Sequence, residues 1–158
     1  MRVAILTISD TASRGERPDR SGPAVQERCV KLGWKVVSEG ILPDDRAKLS
    51  DGLARLADAG NVDAILTTGG TGLGPRDVTP EATTEICQRL VPGLPELMRE
   101  RGRQSTPRAV LSRAVVGVRG NVLIVNLPGS PKGAVESLDA VADLLPHAVE
   151  VLRGARHD

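Results

Sequence analysis

Apolar residues in this chain come in blocks separated by polar and glycine-rich breaks. Val3-Ala4-Ile5-Leu6-Thr7-Ile8 is a nearly unbroken apolar run, as expected of a strand covered on both faces. It ends in Ser9-Asp10, and a polar segment with Arg14, Gly15, Arg17, Asp19 and Arg20 follows. A helical pattern then covers about Pro23 to Leu32, with Ser21 placed to cap it and Gly33 to stop it. Trp34 to Leu42 reads as a second strand. Asp44 is positioned to cap a helix from Asp45 to about Ala59, whose Leu49, Leu53, Leu56 and Ala57 share one face. Val62 to Thr68 is a third strand, and another helix begins at Pro80. Pro92, Pro95 and Pro107 then cut the chain into short pieces, with one or two helical turns over Glu96 to Arg101 before Gly102. Ala114–Val118 and Asn121–Leu127 flank Arg119-Gly120 as a hairpin, and its second strand, the most apolar in the chain, is expected at the centre of the sheet. The last helical pattern runs from about Ala134 to Leu152, where Pro146 should kink it or divide it.

Strands alternating with helices predict an α/β fold in three layers, a mostly parallel sheet with helices on both faces and a β-hairpin near residues 114–127. At 158 residues the chain is expected to form one domain. Ligands of such sheets bind beyond the carboxyl ends of the strands. Ser9-Asp10, Asp44, the glycine-rich loop after the third strand and Pro128-Gly129-Ser130 all fall on that edge.

The glycine loop is the densest chemical signal. Gly69, Gly70, Gly72 and Gly74 fall within six residues and lead through Pro75-Arg76-Asp77-Val78 to Thr79-Pro80-Glu81. Glycines let the backbone approach a ligand closely. Thr79 suits an N-cap, Pro80 a first helical position, and Glu81 the first turn. Strand, bare loop and helix N-terminus together make a cradle of amides for a phosphate. The loop lacks the Lys-Ser/Thr ending of a P-loop and does not fit G-x-G-x-x-G, so its residues alone specify a phosphorylated ligand and no more. Asp10, Asp44 and Asp77 add three carboxylates to that edge. A divalent ion bridging carboxylates and phosphates would suit them, and magnesium fits best because every ligand is oxygen.

Composition narrows the partners. The formal net charge is +1, which argues against nucleic acid or an anionic membrane as the main partner. There is no Phe or Tyr, and Trp34 is the only aromatic residue. Base stacking on aromatic side chains is therefore excluded, and flat rings must rest on aliphatic groups and peptide planes. Cys29 and Cys87 read as reduced core residues of a cytoplasmic protein. His147 and His157 are isolated, which speaks against a histidine metal site. The apolar run at Val3–Ile8 is too short for a signal peptide, and no stretch is long enough to span a membrane.

Thr68-Gly69-Gly70-Thr71-Gly72 followed by Pro75-Arg76-Asp77-Val78-Thr79-Pro80-Glu81 closely resembles the signature of the molybdopterin adenylyltransferase family, which includes the plant cofactor protein and gephyrin. The resemblance continues, in order and spacing, through Ser9-Asp10, Asp19-Arg20-Ser21-Gly22-Pro23, Pro43-Asp44, Leu111-Ser112-Arg113 and Leu127-Pro128-Gly129. It implies a three-layer α/β domain, commonly a homotrimer, that transfers AMP from ATP to the terminal phosphate of molybdopterin with Mg2+ and releases pyrophosphate. It implies that Asp44 and Asp77 are the essential, metal-associated aspartates. Ser9, Asp10, Ser21, Gly69, Gly70, Thr71, Gly72, Gly74, Pro128, Gly129 and Ser130 would contact substrate and nucleotide. Many relatives carry an amide side chain where this chain has Ser130, so one hydrogen bond of the family is not assured here. Other proteins of cofactor biosynthesis are the expected partners.

Such a nucleophile, a phosphate monoester with a second pKa of about 6, needs no protein base. Positioning and charge neutralisation are then the main tasks, with Arg14, Arg20, Arg76 and Lys132 as candidate cations beside the solvated-surface role open to each. Two other functions fit the same residues. One is a non-catalytic module that binds molybdopterin for delivery, and the other is a different phosphotransfer or nucleotide-hydrolysing enzyme.

Overall fold

The computed structural model describes residues 1–156, so His157 lies outside the described residues. The chain begins with β1 (Arg2–Ile8), the one-turn α1 (Asp10–Ser13) and α2 (Ser21–Lys31). Next come β2 (Lys35–Leu42), α3 (Arg46–Asp58), β3 (Ala64–Thr68) and α4 (Thr79–Ile86). Then follow β4 (Arg89–Leu90), α5 (Gly93–Gly102) and a 3-10 turn at Pro107–Leu111. β5 (Val116–Arg119), β6 (Val122–Leu127), α6 (Pro131–Val141) and α7 (Leu145–Leu152) complete it.

The six strands form one sheet in the order β2-β1-β3-β6-β5-β4. The pairs among β2, β1, β3 and β6 are parallel, whereas β5 and β4 run antiparallel to their neighbours. The apolar runs are continuous because both sheet faces are covered. Val3 and Ile5 pack on one side with Val25, Leu138 and Leu145. Ala4 and Leu6 pack on the other with Leu49, Leu53 and Ala82. Alternate residues of β1 thus serve two cores, which is the physical content of the three-layer expectation. Trp34 is buried in the first core, just before β2. Cys29 and Cys87 are unpaired, and burial pushes their thiols up to about 12 and about 11, which leaves both unreactive. Among the described residues no helix is long and apolar enough to cross a membrane.

Several local expectations are corrected. Asp45, not Asp44, caps α3: its carboxylate accepts from the Lys48 amide at 3.0 Å. Ser21 lies inside α2, and Asp19 does the capping by accepting from the Gly22 amide at 3.0 Å. Thr79 is also helical, and its hydroxyl donates to the carbonyl of Gly69 instead of capping α4. The piece expected at Glu96–Arg101 is a ten-residue helix that does stop at Gly102. The last helical pattern is divided, with Pro146 in the first turn of α7, where a missing amide hydrogen costs nothing. The hairpin turn falls on Gly120-Asn121, one residue later than expected, because Arg119 pairs with Val122 in the ladder. The positive φ of Gly120 supplies the turn.

Candidate active site

The carboxyl ends of β1, β2, β3 and β6 bring the four unusual segments together. The glycine loop is held to its surroundings at both ends. The Gly69 amide donates to the carbonyl of Leu127 at 3.1 Å, and the Thr68 hydroxyl to that of Pro128 at 2.6 Å, which joins it to the segment after β6. At the far end the Thr79 amide donates to the carbonyl of Gly70 at 3.1 Å. Gly69 and Gly70 have φ of 107° and 69°. A side chain at Gly69 would run into the carbonyl oxygen of Ile8, and one at Gly70 into the Thr79 hydroxyl. Between these anchors the amides of residues 70, 71, 72 and 73 donate to no acceptor among the described residues. Four consecutive unpaired donors beside a helix N-terminus are what an anion requires.

The carboxylates are arranged in ranks. Asp10 and Asp44 staple each other: the Asp10 amide donates to Asp44 Oδ2 and the Asp44 amide to Asp10 Oδ1, each at 3.0 Å. Asp10 also accepts two bonds from the Arg76 guanidinium at 3.0 Å. That guanidinium, with the Asp44 amide, holds the Asp10 carboxyl below its ordinary range despite some desolvation. Asp10 is therefore committed, and it serves to fix Asp44. Asp44 keeps Oδ1 without a hydrogen bond among the described residues. Burial raises its pKa, and the charges of Asp10 and Asp77 add to the rise, against the lowering effects of the Asp10 amide and Arg76. Asp77 accepts from the Gly74 amide at 2.9 Å through Oδ2, folding its carboxylate over its own loop. Ser9, the N-cap of α1, accepts from the Ala12 amide at 3.2 Å.

A cleft of about 390 Å³ opens between these groups, lined by Ser9, Ser21, Asp44, Gly69, Gly70, Asp77 and Gly129, together with Arg17 and Arg20. Of the expected contact residues, Asp10, Thr71, Gly72, Gly74, Pro128 and Ser130 stand outside its lining. Pro128 and Ser130 line a neighbouring hollow of about 190 Å³, with Pro95, Met98, Ala109, Ser112 and Ala114. The segment 128–131 is the wall between the two spaces, since Gly129 and Pro131 face the cleft. Ser130 also caps α6, accepting from the Gly133 amide at 3.1 Å. Of the candidate cations only Arg20 reaches the lining. Arg14 pairs with Glu16 at 2.8 Å, Arg76 with Asp10, and Lys132 with Glu136 at 3.7 Å. Arg17 and the apolar hollow were not singled out from sequence, because an arginine in a polar loop and scattered apolar residues of three segments give no local pattern.

A magnesium ion fits this donor set. Among the described residues no three His, Cys, Asp or Glu side chains are placed to hold an ion by themselves. Asp44 and Asp77 offer two carboxylates with an oxygen to spare, and phosphate oxygens would complete the shell, which is the usual manner of magnesium binding.

Residues 4–147 match the model of the family described as the probable molybdopterin binding domain. The chain belongs to that family. Two of its relatives are named molybdopterin adenylyltransferase. The one from Helicobacter pylori is 40% identical over 98% of this chain and 89% of its own length. The one from Escherichia coli is 35% identical over 98% and 86%. The Drosophila melanogaster molybdenum cofactor synthesis protein cinnamon is 39% identical over 94% of this chain, which corresponds to 25% of that larger protein. In structure, the molybdopterin biosynthesis enzyme MoaB from Thermus thermophilus superposes with a TM-score of 0.91 at 51% identity, covering 99% of both chains. The molybdopterin-binding fold of this family is thus the frame that holds the cleft, the open amides and the aspartate staple.

Proposed function

We propose that this protein is a molybdopterin adenylyltransferase of molybdenum cofactor biosynthesis. The observation that carries the reading is the meeting of Asp44 and Asp77 in one cleft with Gly70, the first of four loop residues whose amides are unpaired, on a chain 40% identical to a protein of that name. The terminal phosphate oxygen of molybdopterin attacks the α-phosphorus of ATP. A new P–O bond forms, the bond to the β-phosphate oxygen breaks, and pyrophosphate leaves with that electron pair. The attacking phosphate is already ionised near neutral pH, so the site needs no general base. This agrees with a cleft lining that holds neither His nor Cys.

The loop amides and the N-terminus of α4 bind phosphate oxygens and keep two anionic reactants in line. Arg17 and Arg20, which also line the cleft, add positive charge. Asp44 and Asp77 would hold Mg2+, which would neutralise charge on the transferring phosphate. The neighbouring hollow, lined by Pro95, Met98, Ala109 and Ala114, offers the flat pterin an aliphatic bed in a chain without aromatic rings to spare. The same reading, on family resemblance, makes the protein a homotrimer that works in the cytoplasm beside other cofactor-biosynthesis proteins.

The test is single-turnover conversion of molybdopterin with Mg-ATP, followed by mass spectrometry, with wild type and Asp77→Asn side by side. Wild type should give adenylylated pterin and pyrophosphate. Asp77→Asn should lose on the order of a hundredfold in rate while still binding pterin, as when one key electrostatic group is removed. Pterin binding with no product from either protein would point to a delivery module. A near-normal rate in the variant would remove Asp77 from the chemistry.

A further inference from the structure

Arg113 is half-buried, with 34% of its side chain exposed, and does not line the cleft. Its donors are aimed at the loop's carbonyl groups. The main-chain amide donates to the carbonyl of Thr71 at 2.8 Å. Nε donates to the carbonyl of Gly72 at 2.7 Å, and Nη2 to that of Asp77 at 2.7 Å. Nη1 donates to Glu81 Oε1 in the first turn of α4. The guanidinium thereby ties Gly72, inside the open segment, to Asp77 at the far end of the loop, while the main-chain amide holds Thr71.

A trans peptide points its C=O and its N–H in opposite directions. Fixing the carbonyls of Thr71 and Gly72 therefore fixes the N–H groups of Gly72 and Leu73, facing away from Arg113. These are two of the four amides with no acceptor among the described residues. Fixing the carbonyl of Asp77 holds the backbone from which its carboxylate projects. Glu81 sets the angle of the guanidinium and offsets its charge. The segment is glycine-rich and would otherwise sample many orientations.

We propose that Arg113 is a positioning residue for phosphate capture: it fixes the direction of the loop's open amides by holding their carbonyl partners. This rests on reading the loop as the phosphate cradle of the transfer reaction. Arginine is required because lysine has one compact donor head and cannot reach two carbonyls and Glu81 together in a plane.

The experiment compares wild type, Arg113→Lys and Arg113→Ala by calorimetric titration with Mg-ATP, by single-turnover rate, and by thermal melting. Arg113→Lys should melt close to wild type, yet bind Mg-ATP about tenfold more weakly, the worth of one lost charge-assisted hydrogen bond. Its kcat should fall while its KM for molybdopterin holds. Millimolar guanidinium should recover Mg-ATP affinity in folded Arg113→Ala. An Arg113→Lys protein equal to wild type in Mg-ATP affinity would overturn the inference, and so would a folded Arg113→Ala protein that guanidinium leaves unchanged. If wild type binds Mg-ATP but transfers no AMP, the transferase reading fails, and the affinity comparison still decides the role of Arg113.

Discussion

Asp63 and Asp44 stand at opposite ends of the sheet's parallel strands, Asp63 before β3 and Asp44 after β2, and their surroundings differ in kind. Asp63, just before β3, is 4% exposed. It accepts from the Arg2 amide at 2.6 Å and from the Arg2 guanidinium at 2.9 Å, and Arg153 donates to it as well. Burial alone would raise its pKa, but these donors outweigh burial and bring it below the ordinary value. Asp44 receives one amide bond, keeps an oxygen open and sits among other carboxylates, and its pKa is raised. A buried carboxylate closed by cations clamps chain ends together. One left partly unsatisfied beside its own kind has an oxygen open to a cation, the role proposed for Asp44. The comparison locates function by what a charge lacks.

The largest effect that tests this contrast is on rate. Asp44→Asn should slow adenylyl transfer on the order of a hundredfold or more in single-turnover assays, whereas Asp63→Asn should leave the rate per folded molecule unchanged. Equal losses in both would erase the distinction between the ends. Next in size is stability at the closed end. Asp63→Asn should cost about 2–3 kcal/mol, a drop of roughly 4–12 °C in Tm, since it weakens charge-assisted bonds in a buried place. Gly70→Ala follows, with a cost of about 1–3 kcal/mol from positive φ and the collision with Thr79, together with weaker Mg-ATP binding.

The smallest effect carries the sharpest sign. Asp63 has a folded pKa below its unfolded one, so its contribution is present above about pH 4 and is lost as pH falls through the folded value. Asp44 has the reverse shift: its native state binds the extra proton, so stability declines as pH rises through the window between the ordinary and raised values. Above that window Asp44→Asn should therefore raise stability slightly while removing most of the activity. Melting curves of both variants between pH 3 and pH 8 would check the two signs. A lower Tm for Asp44→Asn at pH 7 would show that the residue serves the fold.

Much of this was legible in the chain because it rests on local pattern. The strands before Ser9, Asp44 and Gly69, and the apolar strand that precedes Pro128, announce themselves by hydrophobic runs, and the parallel arrangement follows. The roles of neighbouring polar residues were less legible. Asp44 and Asp45 are equally good caps by composition, and only the reciprocal amide staple between Asp10 and Asp44 decides which one caps α3. Ser21 and Thr79 were misassigned because their hydroxyls take other partners, Ser21 donating to Asp19 two residues earlier and Thr79 to the carbonyl of Gly69 across the glycine loop. Strand β4 has two exposed residues, Arg89 and Leu90, and its pairing with β5 leaves no periodic trace. Arg113 stood within a recognisable motif, yet its work depends on three carbonyls 36 to 42 residues earlier in the chain.

The solitary Trp34 gives the protein an unusual optical character. It is buried just before β2, and the cleft lies past the other end of that strand, eight residues and about 26 Å away at 3.3 Å per residue. Indole emission will therefore report loss of the core and pass over events in the cleft. The chain has no tyrosine to add a second signal. Absorbance and fluorescence from a bound pterin or adenine can be read against a nearly dark background, so occupancy and unfolding can be followed in one cuvette as separate colours.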